Sequence, residues 1–493
     1  MRLKQNTVSD ILLISLLVFA PLALGSVNTW AYSILALCSL ALFDLRFFKN
    51  GINLEKTVSI PMFAGILLFA LLAIFYIVPL PAGLLRSISP FTFKLKEVYA
   101  IRSAHFMSLS VYPWNTLIYI IKLLSYIMIF FVITSRISGK EGRVEKDAEN
   151  AMDTENMPPY QVYFMLGALT AVLSILIHSL SDFNLHIPAN ALYFTVFLAM
   201  ITALAGVPSK EIDQRFLKML VEAITIIGFV IAVFAITQKL SYNGRIYWLI
   251  KKPGAHCGPY VNYDHFAGFM EMCTFMAISN FIVRISNSSF VHIKKLKEKI
   301  IWFSSREANK MILYLFFAVV MTTALFLSTS RGGIMSFCAA LTVFYFASVI
   351  CAEKKKRKRI LSASLLVIML IVIMVLWIGP EETVDRFKML EKIVRFFIKE
   401  KSILSELRPY FWKDTVSMIK DFPVWGTGLG AYSEIFQKYR TFDYAWGFLR
   451  YAHNDYIQFI AETGMAGGVF LTAFFFWYIK KFKKCLRALK RTG

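Results

Sequence analysis

The strongest constraint on this chain is the recurrence of apolar blocks of about twenty residues, each long enough to cross a bilayer as a helix. Twelve such blocks are predicted, at about 10–24, 28–47, 59–80, 112–134, 161–180, 188–207, 216–238, 260–283, 311–328, 332–351, 360–379 and 456–479. Of the 493 residues, 57% are hydrophobic and only 17% are charged, and the mean hydropathy is +0.58. Soluble domains carry about 25% charge, and no soluble core absorbs this much apolar sequence. The expected fold class is all-α: a polytopic membrane protein of about 12 transmembrane helices with one large helical outer loop. A soluble enzyme, a disordered tail protein and a disulfide scaffold are excluded.

The formal net charge of +23 would suit nucleic acid, but the basic residues lie between apolar blocks, where they act as topology signals. They place Arg2, Arg46, Arg136, Lys210, Arg284, the run Lys354–Arg359 and the tail Lys480–Arg491 on one side. By the positive-inside rule that side is cytoplasmic, and an even number of spans puts both termini there. No cleavable signal peptide is expected, because the first apolar block leads directly into a second. The six cysteines contain no CxxC pair, and neither a disulfide nor a zinc framework is expected. The organisation predicted is N-terminal spans over 1–139, a polar cytoplasmic linker at 140–160, a hairpin at 161–207 and central spans over 208–379. An outer loop domain at 380–455 follows, helical near 383–400 and 407–420, and then the last span with its basic tail at 456–493. Segment 81–111 is expected to lie along the membrane surface.

Three clusters of chemistry-bearing residues fall on the predicted outer face. The first is GPYVNYDHFAGF, with Asn262 and His265. The second is Arg331, in the short turn STSRGG. The third is the long loop and the start of the last span, with Arg408, Arg440 and His453-Asn454-Asp455-Tyr456. Ionisable groups near membrane depth are costly and are functional hypotheses by default. Guanidinium groups hold phosphate through a planar fork, and a histidine exchanges a proton near neutral pH. Together they describe a site for an anionic, lipid-linked substrate with proton transfer at a hydroxyl. Each residue also has a plainer reading. Arg331 can cap a hairpin, His453 and His265 can pack at the interface, and Asp455 can cap the last helix. His178 and His186 flank an outer turn as packing residues. GTGLG (426–430) lacks the preceding strand of a dinucleotide fingerprint and reads as a tight turn. Lys122, Glu222 and Glu271 are the ionisable groups inside spans, the two glutamates expected to satisfy each other or an arginine. No HExxH, P-loop, GxSxG or DxD metal pair occurs in a suitable place.

Taken in order, STSRGG, RPYFWKDTVSMIKDFPVWGTGLGAYSEIFQKYR and YAHNDYIQFIAETGMAGG, with GPYVNYDHFAGFMEM and FAPLALGSVNTWAYS upstream, resemble the O-antigen ligase and polymerase family of bacterial envelopes. The resemblance implies a glycosyltransferase of the inner membrane, acting on the periplasmic face in lipopolysaccharide or polysaccharide biosynthesis. It implies an undecaprenyl-pyrophosphate-linked glycan as donor, no metal and no other cofactor. The acceptor implied is a sugar of lipid A-core for a ligase, or another lipid-linked glycan for a polymerase. Membrane lipids are the remaining partner, and nucleic acid is none. By the same resemblance His453 is the catalytic residue acting on the acceptor hydroxyl, and Arg331, Arg408 and Arg440 hold the pyrophosphate. Asn454, Asp455, Tyr456, His265 and Asn262 are supporting residues.

Two departures stand out. The stretch at 167–206 resembles the helix pair that usually ends this family, yet here it precedes the central spans. Either it packs in its usual place through the linker 139–160, or the rearrangement interferes with activity. The family's GPFVNRNH pattern also reads GPYVNYDH here, without its basic residue. Competing readings are a protein-directed oligosaccharyltransferase and, in another class, a transporter or flippase of lipid-linked sugars, for which Lys122, Glu222 and Glu271 are the best support.

Overall fold

The computed structural model describes residues 2–48, 58–99, 105–139, 157–251, 256–286, 295–350, 408–441 and 448–492, with single positions at 288, 357, 361, 362, 365, 369 and 373. The chain is an all-α polytopic membrane protein. Among the described residues, nine helices are long and apolar enough to cross a bilayer, and two shorter apolar helices cover Asn6–Leu22 and Ile60–Phe75. These eleven coincide with eleven of the twelve predicted blocks. The twelfth, 360–379, lies almost wholly outside the described residues, as do the linker 140–156 and the stretch 383–400.

In chain order, α1 (Arg2–Leu22), α2 (Thr29–Phe43) and α3 (Ile60–Phe75) come first. A small outer unit follows: strand β1 (Pro79–Pro81), α4 (Ala82–Ile88), α5 (Pro90–Tyr99) and strand β2 (Phe106–Ser108), with β1 and β2 paired antiparallel. Next come α6 (Pro113–Ile137), α7 (Pro159–His178), α8 (Pro188–Gly206), α9 (Gln214–Leu240) and α10 (Tyr263–Ser286). Then come α11 (Leu296–Trp302), α12 (Arg306–Leu327) and α13 (Arg331–Ile350). In the outer loop lie α14 (Arg408–Asp421) and α15 (Tyr432–Phe436), and α16 (Asp455–Thr492) closes the chain.

Local sequence sets the helix starts. Proline opens α6, α7 and α8, a position where its missing N–H costs nothing. Asp213 and Ser305 cap α9 and α12 by accepting from the amides of Phe216 and Ala308. Helices α7, α8 and α10 are apolar on nearly every face and are buried on nearly every face. They form the centre of the bundle, with α6, α9, α12, α13 and α16 packed around them. The predicted hairpin 161–207 therefore lies, with α10, at the enclosed centre of the described residues.

One ionic cluster ties the predicted inner ends together. Arg136, near the end of α6, pairs with Asp10 of α1 at 2.9 Å and with Asp213 at 2.6 Å. Its guanidinium also lies over the Phe216 ring, 4.6 Å from the centroid. Arg46 donates to the Oγ and carbonyl oxygen of Ser135, both at 2.7 Å.

Candidate functional site

At the opposite end, the turn between α7 and α8 meets the segment that opens α16. The contacts are reciprocal. His453 Nδ1 donates to Asp182 Oδ1 at 3.1 Å, and His186 Nδ1 donates to Asp455 Oδ1 at 2.6 Å. Between them, Asn454 Nδ2 donates to the Leu180 carbonyl and the Asp455 amide donates to the Ser179 carbonyl, both at 2.9 Å. Tyr456 completes the clasp by donating its hydroxyl to the Leu176 carbonyl at 2.6 Å. Each strand thus supplies one imidazole and one carboxylate to the other.

The helix cap is Asn454 and not Asp455. Asn454 Oδ1 accepts from the amides of Tyr456 at 3.0 Å and Ile457 at 3.1 Å, which leaves the Asp455 carboxylate to His186 and the Leu185 amide. His453 precedes this cap with φ of +51°, a left-handed conformation uncommon outside glycine. Such strain persists only where the surroundings impose it, and here the clasp and the cap do so.

Asp182 is the hub. Its side chain is 1% exposed and that of His453 is 27% exposed. Its second oxygen lies 3.6 Å from His265 Nε2, beyond hydrogen-bond reach. Burial pushes the Asp182 carboxyl up, but the hydrogen bond from His453 and the nearby charges of His265, His453 and Arg408 outweigh it. The net result holds the carboxyl well below its usual range. With Nδ1 committed to Asp182, the Nε2 of His453 is the nitrogen left to meet a substrate. The Phe183 ring fixes the imidazoles from one side, edge-on to His265 at 4.6 Å and to His453 at 4.8 Å, while stacking on Tyr451 at 4.1 Å.

The arginines gather around a second carboxylate. Arg408, first residue of α14, lies 3.7 Å from Asp264 Oδ2, and Ser330 Oγ donates to Asp264 Oδ1 at 2.6 Å. Ser330 precedes Arg331, so the first turn of α13 is drawn beside Asp264 and Arg408. A β-carbon at Gly333 would lie 2.5 Å from the Ala267 β-carbon, so only glycine allows this approach of α13 to α10. Arg440 lies after α15, outside any helix, where its neighbour Thr441 bonds Asp414 of α14 through its amide at 3.0 Å and its hydroxyl at 2.9 Å. Asn262 serves the start of α10, accepting from the Asp264 amide at 2.9 Å.

GTGLG is a turn, with positive φ at Gly426, Gly428 and Gly430. It is fastened to α16 where that helix kinks at Gly464: the Gly428 amide donates to the Glu462 carbonyl and the Gly430 amide to Glu462 Oε2, both at 2.8 Å. Glu462 also accepts from Gln458, whose Nε2 reaches His186 Nε2 at 3.1 Å. Glu271 does not meet Glu222. It accepts from Ser174 at 2.9 Å, Ser336 at 2.6 Å and His178 at 3.2 Å, whereas Glu222 lies 3.9 Å from Arg284.

Sequence reasoning placed His453, Arg331, Arg408 and His265 in one neighbourhood, but it missed Asp182, Asp264, Phe183 and Glu462 and read His186 as packing. The available signal was the outer turn itself, where His178, Asp182 and His186 recur at a spacing of four. Among the described residues, no three His, Cys, Asp or Glu side chains gather to hold a metal ion.

The bundle and this cluster define a membrane-embedded protein with a histidine–carboxylate centre and Arg408 nearby. Residues 316–472 match the family model described as O-antigen ligase. The match contains Arg331, Arg408, Arg440 and His453, while Asp182, His186 and His265 lie upstream of it. No curated protein and no solved structure matches the chain. The match and the fold support, in general terms, an O-antigen ligase- or polymerase-type membrane protein.

Proposed function

We propose that the protein transfers a glycan from an undecaprenyl-pyrophosphate carrier to a sugar hydroxyl on the periplasmic face of the inner membrane, without a metal, with both termini cytoplasmic. The acceptor favoured is lipid A-core, and the alternative is another lipid-linked glycan, which would make the protein a polymerase. The observation that carries this reading is the pairing of partly exposed His453 with buried Asp182, 3.1 Å apart, beside Arg408 and the first turn of α13.

The division of labour follows from the chemistry. The acceptor hydroxyl is a poor nucleophile and gains from a positioned base. His453 Nε2 takes its proton, and Asp182 orients the ring and stabilises the imidazolium that forms. The pyrophosphate is already a good leaving group, and Arg331 and Arg408 neutralise the charge it develops. Arg440 contributes from the segment after α15, beside Asp414 of α14. Attack opposite the leaving group inverts the anomeric centre. His265, Asn262, Asn454, Asp455 and Tyr456 are positioning residues: His265 faces Asp182, Asn262 and Asn454 cap helices, and Asp455 and Tyr456 hold the hairpin. The hairpin 161–207 thereby completes the site from its upstream position. Glu271, satisfied by three partners, offers no free group to a transport path.

The test is transfer by the purified protein in detergent, with chelator present. Donor with lipid A-core should give glycan on lipid A-core, and a His453→Ala protein should give none. Longer glycan from donor alone would make it a polymerase. No product from either mixture would reject the transferase reading.

A further inference from the structure

A second cation, Lys122, is linked to the surroundings of His453 through aromatic rings, and the reaction proposed above makes no use of it. Lys122 stands nine residues inside α6, about 13 Å along its axis. Its Nζ lies 4.4 Å from the Tyr32 ring centroid and 5.0 Å from that of Tyr119. Among the described residues no carboxylate and no hydrogen-bond acceptor meets it. A cation at such a depth is expensive, and a dedicated partner is the usual reason for keeping one. Two aromatic faces hold an ammonium in place but leave its N–H donors unused.

Lys122 is joined to the site by a short path. The Tyr119 hydroxyl faces that of Tyr451, and the Tyr119 ring lies 6.0 Å from His186. Tyr451 stacks on Phe183, which touches His453. The GTGLG turn covers the outer end of α6, through Thr116 Oγ1 to the Leu429 carbonyl at 2.7 Å and Asn115 Nδ2 to the Gly430 carbonyl at 3.2 Å. Lys122 therefore lies just beneath the outer loop, at a depth suited to a lipid phosphate whose tail runs down α6. Arg408 is connected to His453 through a different set of residues, Asp264, His265 and Asp182.

A transfer between two lipid-anchored molecules needs two phosphate sites flanking one base. We infer that Lys122 is the second phosphate site and holds the diphosphate of a lipid-linked acceptor while Arg331 and Arg408 hold that of the donor. This rests on the transferase reading and, within it, favours the polymerase form.

The test counts lipids bound before any transfer. Native mass spectrometry of the purified protein with undecaprenyl diphosphate should find two lipids on the wild type, one on Lys122→Met and two on Lys122→Arg. Arg408→Gln should also retain one, and combining it with Lys122→Met should leave none. In the transfer assay Lys122→Met should raise KM for a lipid-linked acceptor roughly 10-fold or more and leave KM for the donor unchanged. Two lipids on Lys122→Met, or a single lipid on the wild type, would overturn the inference. The lipid count decides the role of Lys122 even if the wild type transfers no glycan, an outcome that would reject only the transferase reading.

Discussion

The two ends of the bundle use the same residue types for opposite purposes. At the inner end Arg136 is held by two carboxylates at 2.9 and 2.6 Å. At the outer end two imidazoles share one carboxylate, at 3.1 and 3.6 Å, and Arg408 stands 3.7 Å from Asp264. The inner charges are spent on one another, which fastens α1, α6 and α9. The outer charges surround His453, whose side chain is 27% exposed, as a site for an anion and a hydroxyl requires. Charge at a helix end is therefore not itself a sign of function; what separates the ends is whether the charges surround a group that a substrate can reach.

The largest expected effect breaks the inner end. Arg136→Met leaves two carboxylates without their partner, a loss of about 3–5 kcal/mol for a buried pair. The yield of folded protein and its thermal midpoint should fall, while the transfer rate per folded molecule stays unchanged. A rate that falls with the midpoint held constant would erase the distinction. At the outer end, Asp182→Asn removes a charged hydrogen-bond partner worth about 1.5–3 kcal/mol, so the rate per folded molecule should drop roughly 10- to 100-fold in the same assay. An unchanged rate would mean that His453 needs no orienting carboxylate.

Acidification sharpens the comparison by affecting both ends alike. The Asp182 and Asp213 carboxyls are both held below the ordinary value of 3.8, against burial, by partners that favour the charged form. A depressed carboxyl contributes stability that is complete above its unfolded value and is lost as pH falls through the folded one. The midpoint difference between wild type and either Asp→Asn variant should hold steady down to about pH 4.5 and shrink below 3.8. Only Asp182→Asn should also slow transfer at neutral pH. The smallest effect is expected for Asn454→Ser, which keeps a capping oxygen and should cost a few tenths of a kcal/mol in the thermal midpoint. A larger loss would show that the Asn454 bond to Leu180 carries more of the clasp than the cap does.

Much of this was legible in the sequence because it depends on local periodicity. Blocks of bilayer length became helices. GTGLG was readable as a turn because glycine tolerates positive φ. The partners of His453 were not readable in the same way. Asp182 lies 271 residues upstream, and nothing local to SDFNLH says which segment it will meet. His186 was read as packing because its carboxylate, Asp455, lies 269 residues away. Asp264 was hidden because a departure from the family pattern drew attention to its missing basic neighbour and away from the carboxylate itself.

The most direct test of the outer end as the reaction site is the rate of glycan transfer per folded molecule for His453→Ala and Arg136→Met, reconstituted side by side in liposomes with the undecaprenyl-pyrophosphate donor. Loss of the general base should slow His453→Ala by roughly 10²–10⁴-fold, with Arg136→Met turning over at the wild-type rate. A folded His453→Ala protein that transfers glycan as fast as the wild type would contradict the assignment.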